Sequence, residues 1–371
     1  MEQHQLPFWL REHYIKLLPI VKSDFYMDDL ISGADTIEQA IALQHQIEEI
    51  LCGVCLPLRK WRTNQPELLA NHDLENTPNY LITDDGNSKT LGLCWDPRTD
   101  SLSYSLSLEI QQVATKHTVL STMSRIFDPL GLISPIVVRI KLLLQQIWQS
   151  RIEWDESLPM HLDTGWKLLQ RQLIEINNIR VPRQVAIPNL CTIELNGFSD
   201  ASEQVYGACI YIRTTDGDGK HSSRLVTAKS RVSPLKVVAL PRLELCGALL
   251  LTRLMSKTEE SIKKTFVANR VADIQDTTTR DEWRHIKSEA NPADIVSRGA
   301  NPSQLLKSDL WWSGPSLLLK DKEHWPSPKS DLFTGPDDMP ERRKEIQIVL
   351  ISIIMHLFLT NTALSQNCRE L

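Results

Sequence analysis

Positive charge is not in excess in this chain: 41 lysines and arginines stand against 46 aspartates and glutamates, for a formal net charge of −5 over 371 residues. A global electrostatic pull toward nucleic acid is thereby excluded, and any such surface has to come from local Lys/Arg clustering. Paired cysteine motifs are also scarce. The seven cysteines are odd in number and scattered, which excludes a disulfide framework and favours a reducing compartment. Cys52-Gly-Val-Cys55 is the only C-x-x-C. With no second pair at zinc-ligand spacing, it reads as two small buried thiols rather than a metal or redox site. Met1-Glu-Gln-His-Gln5 shows no basic stretch leading into an apolar one, so no secretory signal is expected and the expected location is intracellular, cytoplasm or nucleus. The apolar run Ile346 to Leu359 contains Gln347, Ser352 and His356 and falls short of the ~20 apolar residues of a membrane span. A packed helix or strand is expected there instead, and no internal repeat is visible.

What is present is ordinary for a folded chain: 42% apolar and 23% charged residues, with length for two or three domains. Residues 8–62 read as strand, acidic turn, strand, helix, strand, the helix starting at Thr36 with apolar positions Ile37, Ala40, Ile41, Ile47, Ile50 and Leu51. A short strand is expected over Thr90–Trp95. Thr118 to about Arg180 has helical periods, interrupted where the prolines and glycine of Phe127-Asp-Pro-Leu-Gly-Leu-Ile-Ser-Pro135 force a turn. From Cys191 the texture is β, with strands over Thr192–Phe198, Tyr206–Arg213 and Leu225–Ala228 and a hairpin turn at Asp216-Gly-Asp-Gly219. Leu243 to Met255 is helical. Asp163-Thr-Gly165 invites comparison with an aspartic protease, but Trp166-Lys-Leu-Leu169 continues as a helix, so the match is read as coincidence.

Two acidic constellations carry chemistry. Tyr26-Met27-Asp28-Asp29 sets two carboxylates on a tight turn between apolar strands, and Asp200, Glu244 and Asp294 form a second, dispersed set. Two-metal nucleotidyl transfer and hydrolysis both need clustered carboxylates, because two divalent ions must be held ~4 Å apart. Each residue also has a plain structural reading: Asp200 in Ser-Asp-Ala-Ser as a turn former, Glu244 as an ordinary helix residue, Asp294 after Asn-Pro-Ala as a helix cap. Lys60 and Arg62, flanking Trp61, could contact a phosphate backbone with the indole stacked on a base. They equally suit a solvated strand edge with one packed tryptophan.

The ordered series Tyr26-Met-Asp-Asp29, Leu58-Arg-Lys-Trp-Arg-Thr-Asn64, Ile126-Phe-Asp-Pro-Leu-Gly-Leu-Ile-Ser-Pro135, Phe198-Ser-Asp-Ala-Ser202, Leu240-Pro-Arg-Leu-Glu-Leu245, Phe266-Val-Ala-Asn-Arg-Val271, Asn291-Pro-Ala-Asp-Ile-Val-Ser-Arg-Gly299 and Trp311-Trp-Ser-Gly-Pro315 resembles the Pol polyprotein of Pao/BEL-type LTR retrotransposons. The resemblance covers roughly residues 20–325. It implies a mixed α/β chain: a partial reverse-transcriptase palm (1–110), a helical connection (111–188), a ribonuclease H-like sheet with helices (189–300), and a tail (301–371) holding the apolar segment 346–359. Asp28 and Asp29 would then be palm metal ligands, Asp200, Glu244 and Asp294 ribonuclease H ligands, Mg²⁺ or Mn²⁺ the cofactor, and an RNA/DNA hybrid or DNA the partner, with no membrane involved.

The family pattern is broken in two places. Only 25 residues precede Tyr26, leaving no room for an earlier palm aspartate and the fingers, so DNA synthesis by this chain alone is not expected. The ribonuclease H set lacks its third aspartate: between Glu244 and Asp294 stand only Asp273, Asp276 and Asp281, none at the required place, and Ser261-Ile-Lys-Lys264 joins Thr265-Phe-Val as across an internal deletion. The expectation is a catalytically incomplete pseudoenzyme that retains nucleic-acid binding. Its rivals are residual ribonuclease H activity, with Asp273 or Glu260 as substitute ligand, and a host-adopted protein-interaction module.

Overall fold

The computed structural model describes residues 24–26, 29–34, 36–53, 56, 58, 61–69, 88–90, 93–108, 113–185, 190–266, 284–326, 349–355 and 362–367. Near the N-terminus, β1 (Phe25–Tyr26) and β2 (Asp29–Ala34) pair antiparallel with Tyr26 opposite Asp29; Met27 and Asp28 lie outside the described residues. Helix α1 (Ile37–Gly53) follows, and β3 (Arg62–Thr63) completes the local strands. Leu30, Ala40, Ile47, Leu58, Trp61 and Leu68 form a small core of their own. Cys52 is exposed on the outer side of α1, a correction to the buried-thiol expectation: it ends the helix, beyond the apolar stripe. Cys55 lies outside the described residues.

Strands β4 (Ser88–Thr90), β5 (Leu93–Asp96) and β6 (Ser101–Ser103) form antiparallel pairs in place of the single strand expected over 90–95. The helical stretch then appears as α2 (Lys116–Ser124), α3 (Ser134–Gln149) and α4 (Met160–Leu173), after which β7 (Arg180–Pro182) joins β6. Asp163, Thr164 and Gly165 lie inside α4, so no protease-type turn forms. Helix α2 starts a little before the Thr118 expected from periodicity, capped by Thr115, whose side chain and that of Thr118 make a reciprocal capping box.

The turn between α2 and α3 is held by Asp128, whose carboxylate accepts from Tyr104 Oη at 2.9 Å and the Ile133 amide at 3.0 Å. Gly131 has φ +74°, and a Cβ there would lie 1.8 Å from the Ala228 carbonyl oxygen; only glycine meets both demands. Burial pushes the Asp128 carboxyl up from 3.8 to about 6, against the lowering effect of its hydrogen bonds. A carboxyl raised in the folded state favours folding below its unfolded value and loses that contribution as pH rises through the folded one. Stability is therefore expected to fall by about 2 kcal/mol between pH 4 and 7 from this group. Urea unfolding at several pH values checks it, and Asp128→Asn should flatten much of the slope.

The centre of the molecule is a five-stranded sheet. A meander of three long strands joins β8 (Leu190–Ala201), β9 (Val205–Asp216) and β10 (His221–Val232); β9 is buried on both faces over most of its length, β10 alternates between buried and exposed positions, and Asp216-Gly-Asp-Gly219 turns the second hairpin with Gly219 at φ +79°. Helix α5 (Leu240–Phe266) packs on one face, sealing Ile193, Leu195, Ala208, Ile210, Leu250, Leu251 and Met255. It is a longer helix than the 243–255 expected from periodicity. The chain continues through β11 (Arg284–His285), α6 (Pro292–Arg298), α7 (Pro302–Leu306) and α8 (Asp309–Ser313). On the other face, α3, α6 and α8 close a core that runs from Leu93 through Ile136, Trp166, Phe198 and Tyr211 to Trp325. The helical connection and the sheet thus share one interior.

The tail returns as β12 (Val349–Met355) and β13 (Thr362–Asn367). The sheet order is β10-β9-β8-β12-β11, and β13 lies between β2 and β3. Mixed α/β is the architecture expected from sequence. Among the described residues no helix is long and apolar enough to cross a membrane.

Candidate carboxylate site

Asp200 stands one residue from the C-terminal end of β8 and is 5% exposed. Two glycines let helices close on it. Across the strand pair, Asp200 is opposite Gly207, where a Cβ would lie 2.4 Å from Val296 Cγ1, so α6 can sit directly on β9. From the opposite face, a Cβ on Gly247 of α5 would lie 3.2 Å from the Asp200 carbonyl oxygen.

Helix α6 begins at Asn291, which is fully buried; its side-chain oxygen accepts from the Ala293 amide and its nitrogen donates to the Ser199 carbonyl. This anchors α6 to the strand that carries Asp200. The cap is therefore Asn291, and Asp294 sits within the first turn, where a carboxylate suits the helix dipole. One turn on, Ser297 donates from Oγ to Asp200 Oδ2, and Arg298 pairs with Asp294 through Nε at 2.8 Å. Ser202 Oγ donates to the Ser297 carbonyl at 2.9 Å, closing the loop after β8 around the same spot.

Electrostatics follow from this enclosure. Burial raises the Asp200 carboxyl to about 6, the nearby Asp294 charge adds to the rise, and the Ser297 hydroxyl and Arg298 oppose it. Asp294 is also raised, by burial first, with Arg298 pulling it back. The fold thus brings Asp200 and Asp294 together and shields both. Glu244 lies half-buried on α5, one turn before Gly247, on the stretch that passes Asp200. Among the described residues, no group of three or more His, Cys, Asp or Glu side chains is placed to hold a metal ion.

Residues 115–272 match the family model of the Pao retrotransposon-like RNaseH-like domain. They form a Pao-type RNase H-like region. No curated protein and no solved structure matches the chain. The match takes in α2 to α4 as well as the β8–β10 meander and α5, in keeping with the shared core. Asp200 and Glu244 fall inside the Pao-type region, while α6, with Asp294, lies beyond its end.

Sequence reasoning missed Ser297 and Arg298. Their spacing from Asp294, three and four positions on a helix, was the available signal. Of the remaining site residues, Asp28 and Lys60 lie outside the described residues, as do Asp273, Asp276 and Asp281, and only the backbone of Asp29 and Glu260 is described. Of the two readings of Trp61, the packed one holds: it is 5% exposed in the small N-terminal core, with its indole against Leu30 and its neighbours rather than offering a face to a base. Arg62 beside it is half-buried, and burial lowers its pKa.

Proposed function

We propose that this chain derives from a Pao-type retroelement Pol polyprotein and acts inside the cell as a nucleic-acid-binding RNase H-like protein that does not cleave RNA. The observation that carries the reading is the state of the two central carboxylates: Asp200 is hydrogen-bonded by Ser297 and Asp294 is ion-paired with Arg298. Two divalent ions need several carboxylates turned toward one point and free to coordinate. Among the described residues that cluster is not assembled, so the described carboxylates by themselves do not make a two-metal centre. The Tyr26–Asp29 hairpin supports the same derivation, as the remnant of a polymerase palm.

Binding is supported by a local concentration of positive charge, as the acidic overall balance requires. Lys141 Nζ of α3 donates to the Ser230 carbonyl of β10 at 3.5 Å, between Lys229 and Arg231; burial lowers the Lys141 ammonium, the Asp128 carboxylate opposes this, and the charges of Lys229 and Arg231 add to the lowering. The cluster lies along β10, the edge strand of the sheet. A phosphate backbone is the natural counter-charge for such a set. Exchanging Lys229 and Arg231 for glutamine is expected to weaken binding of an RNA/DNA hybrid and to lower the salt-dependence slope by about one per lost contact. A titration at several salt concentrations reads both, and an unchanged slope would place the nucleic acid elsewhere.

The test of the whole reading is cleavage of a labelled RNA/DNA hybrid by the purified chain in Mg²⁺ and in Mn²⁺, beside Asp200→Asn. The expected result is no cleavage above the variant's background, with binding retained. Cleavage that Asp200→Asn abolishes would overturn it and show that a carboxylate outside the described residues completes the site.

A further inference from the structure

The strand β8 is 12 residues long and pairs with β9 along its whole length. Its other edge is covered by β12, seven residues from a point about 150 positions later in the chain, running antiparallel with Val349 opposite Ser199 and Met355 opposite Ile193. Beyond β12 only Arg284 and His285 of β11 pair with it, at Leu350 and Val349. The C-terminal tail is therefore the element that converts β8 from an edge strand into an interior one.

The backbone of β8 is what such a cover satisfies, since an edge strand leaves a row of N–H and C=O groups unpaired. Ile193, Leu195, Asn196 and Phe198 are at most 1% exposed, and a long, apolar, uncovered edge is the feature that drives strand-to-strand aggregation. The tail segment is suited to the place. Val349-Leu-Ile-Ser-Ile-Ile-Met355 carries no charge and no proline, β-branched residues dominate it, and Glu341-Arg-Arg-Lys-Glu345 keeps a charged block just ahead of it. Its single hydroxyl residue, Ser352, stands in register opposite Asn196, a fully buried residue whose amide oxygen and nitrogen have no hydrogen-bond partner among the described residues.

We infer that residues 349–355 act as a clasp, a strand donated in cis by the tail onto the open edge of β8, without which the RNase H-like sheet does not stay monomeric and folded. A closing segment on a long tether costs little extra chain entropy, since that cost grows only with the logarithm of loop length. The clasp carries no carboxylate, so it restores the sheet beside Asp200 without adding a metal ligand. The inference stands whether or not the carboxylates retain activity.

Two measurements test it. In the full chain, cysteines placed at Ser199 and Val349 should form an intramolecular disulfide, located by proteolysis and mass spectrometry, because directly opposed antiparallel positions fall within bridging distance. Cysteines at Ser199 and Met355, which only a parallel strand would bring together, should not. The second measurement removes the clasp: a chain ending at Glu345 is expected to self-associate or to melt about 10 °C lower, and a synthetic peptide of residues 341–359 added in trans should restore the monomer. The inference is overturned by bridging at 199/355 in place of 199/349, or by a bridge found only between two chains, which would make the strand an exchanged one. It is equally overturned by a shortened chain that stays monomeric with an unchanged melting temperature.

Discussion

Replacing Arg213 by methionine is expected to lower the unfolding free energy by about 3–5 kcal/mol, the cost of removing one partner from a buried ion pair. Arg213 is a β9 residue with 3% side-chain exposure, and Nη1 donates to Glu194 Oε2 on β8 at 2.9 Å. Its other nitrogens donate to the carbonyls of Leu318 and Lys320 at 2.7 and 2.9 Å, and the guanidinium lies 5.4 Å from the centre of the Trp325 ring. One side chain thus ties two strands to the segment 316–325. Its loss removes the guanidinium from a carboxylate with 7% exposure and a donor from the Leu318 carbonyl, and leaves the Lys320 carbonyl only the Trp325 indole at 3.2 Å. Lys322, which also reaches Glu194 at 2.9 Å, is more exposed and cannot replace a planar fork. The double variant Arg213→Met, Glu194→Leu should recover a large part of the loss, because no uncompensated charge remains. Urea unfolding of the single and double variants decides the matter. A single-variant loss below about 1 kcal/mol would show that water reaches Glu194 and that the pair behaves as a surface one.

A comparable loss, about 3–5 kcal/mol, is expected for Trp311→Ala. Trp311 has no exposed surface and its indole Nε1 donates to the Leu132 carbonyl at 2.9 Å, so the substitution opens a cavity and strands a buried acceptor together. The position is fixed from both sides. Ser308 caps the short helix α8 through the Trp311 amide, and Tyr211 Oη donates to the Trp311 carbonyl at 2.7 Å. Immediately after α8, Gly314 takes φ +75°, with Leu318 and Tyr211 within 3.1 Å of where a Cβ would be. Trp311→Phe, which keeps most of the volume but not the donor, should fall between alanine and wild type. Equal losses for the two variants would mean that the hydrogen bond, not the filled volume, is what the tryptophan supplies.

Both residues join the 286–325 segment to the sheet, and that segment also carries Asn291, Asp294, Ser297 and Arg298. The candidate site and the global core are therefore mechanically linked. Variants that loosen 311–325 are expected to disturb Asp200 through α6, so Asp200→Asn is the cleaner functional probe.

How much of this was legible in the sequence divides along physical lines. The meander β8–β10, its Asp-Gly-Asp-Gly turn and the helices between 116 and 173 were readable from the residues, whereas Asp200 and Asp294 were nominated by the family resemblance. Turn chemistry, capping and burial period are written within a few neighbouring residues. The extent of α5, the split of 88–96 into two strands and the exposed Cys52 were less so, since ends of elements are set by what packs on them. That Asn291 rather than Asp294 is the cap, and that Ser297 and Arg298 occupy the carboxylates, depended on α6 docking over Gly207. The burial of Trp61 likewise depended on which neighbours closed over it. By itself, then, the sequence determined the local elements and a short list of acidic candidates. Only the tertiary structure decided that two of those acids meet and are shielded, and that the apolar tail lies antiparallel beside β8. A strand buried on both faces reads merely as an apolar run, and neither its partner nor its direction leaves a periodic trace in the chain.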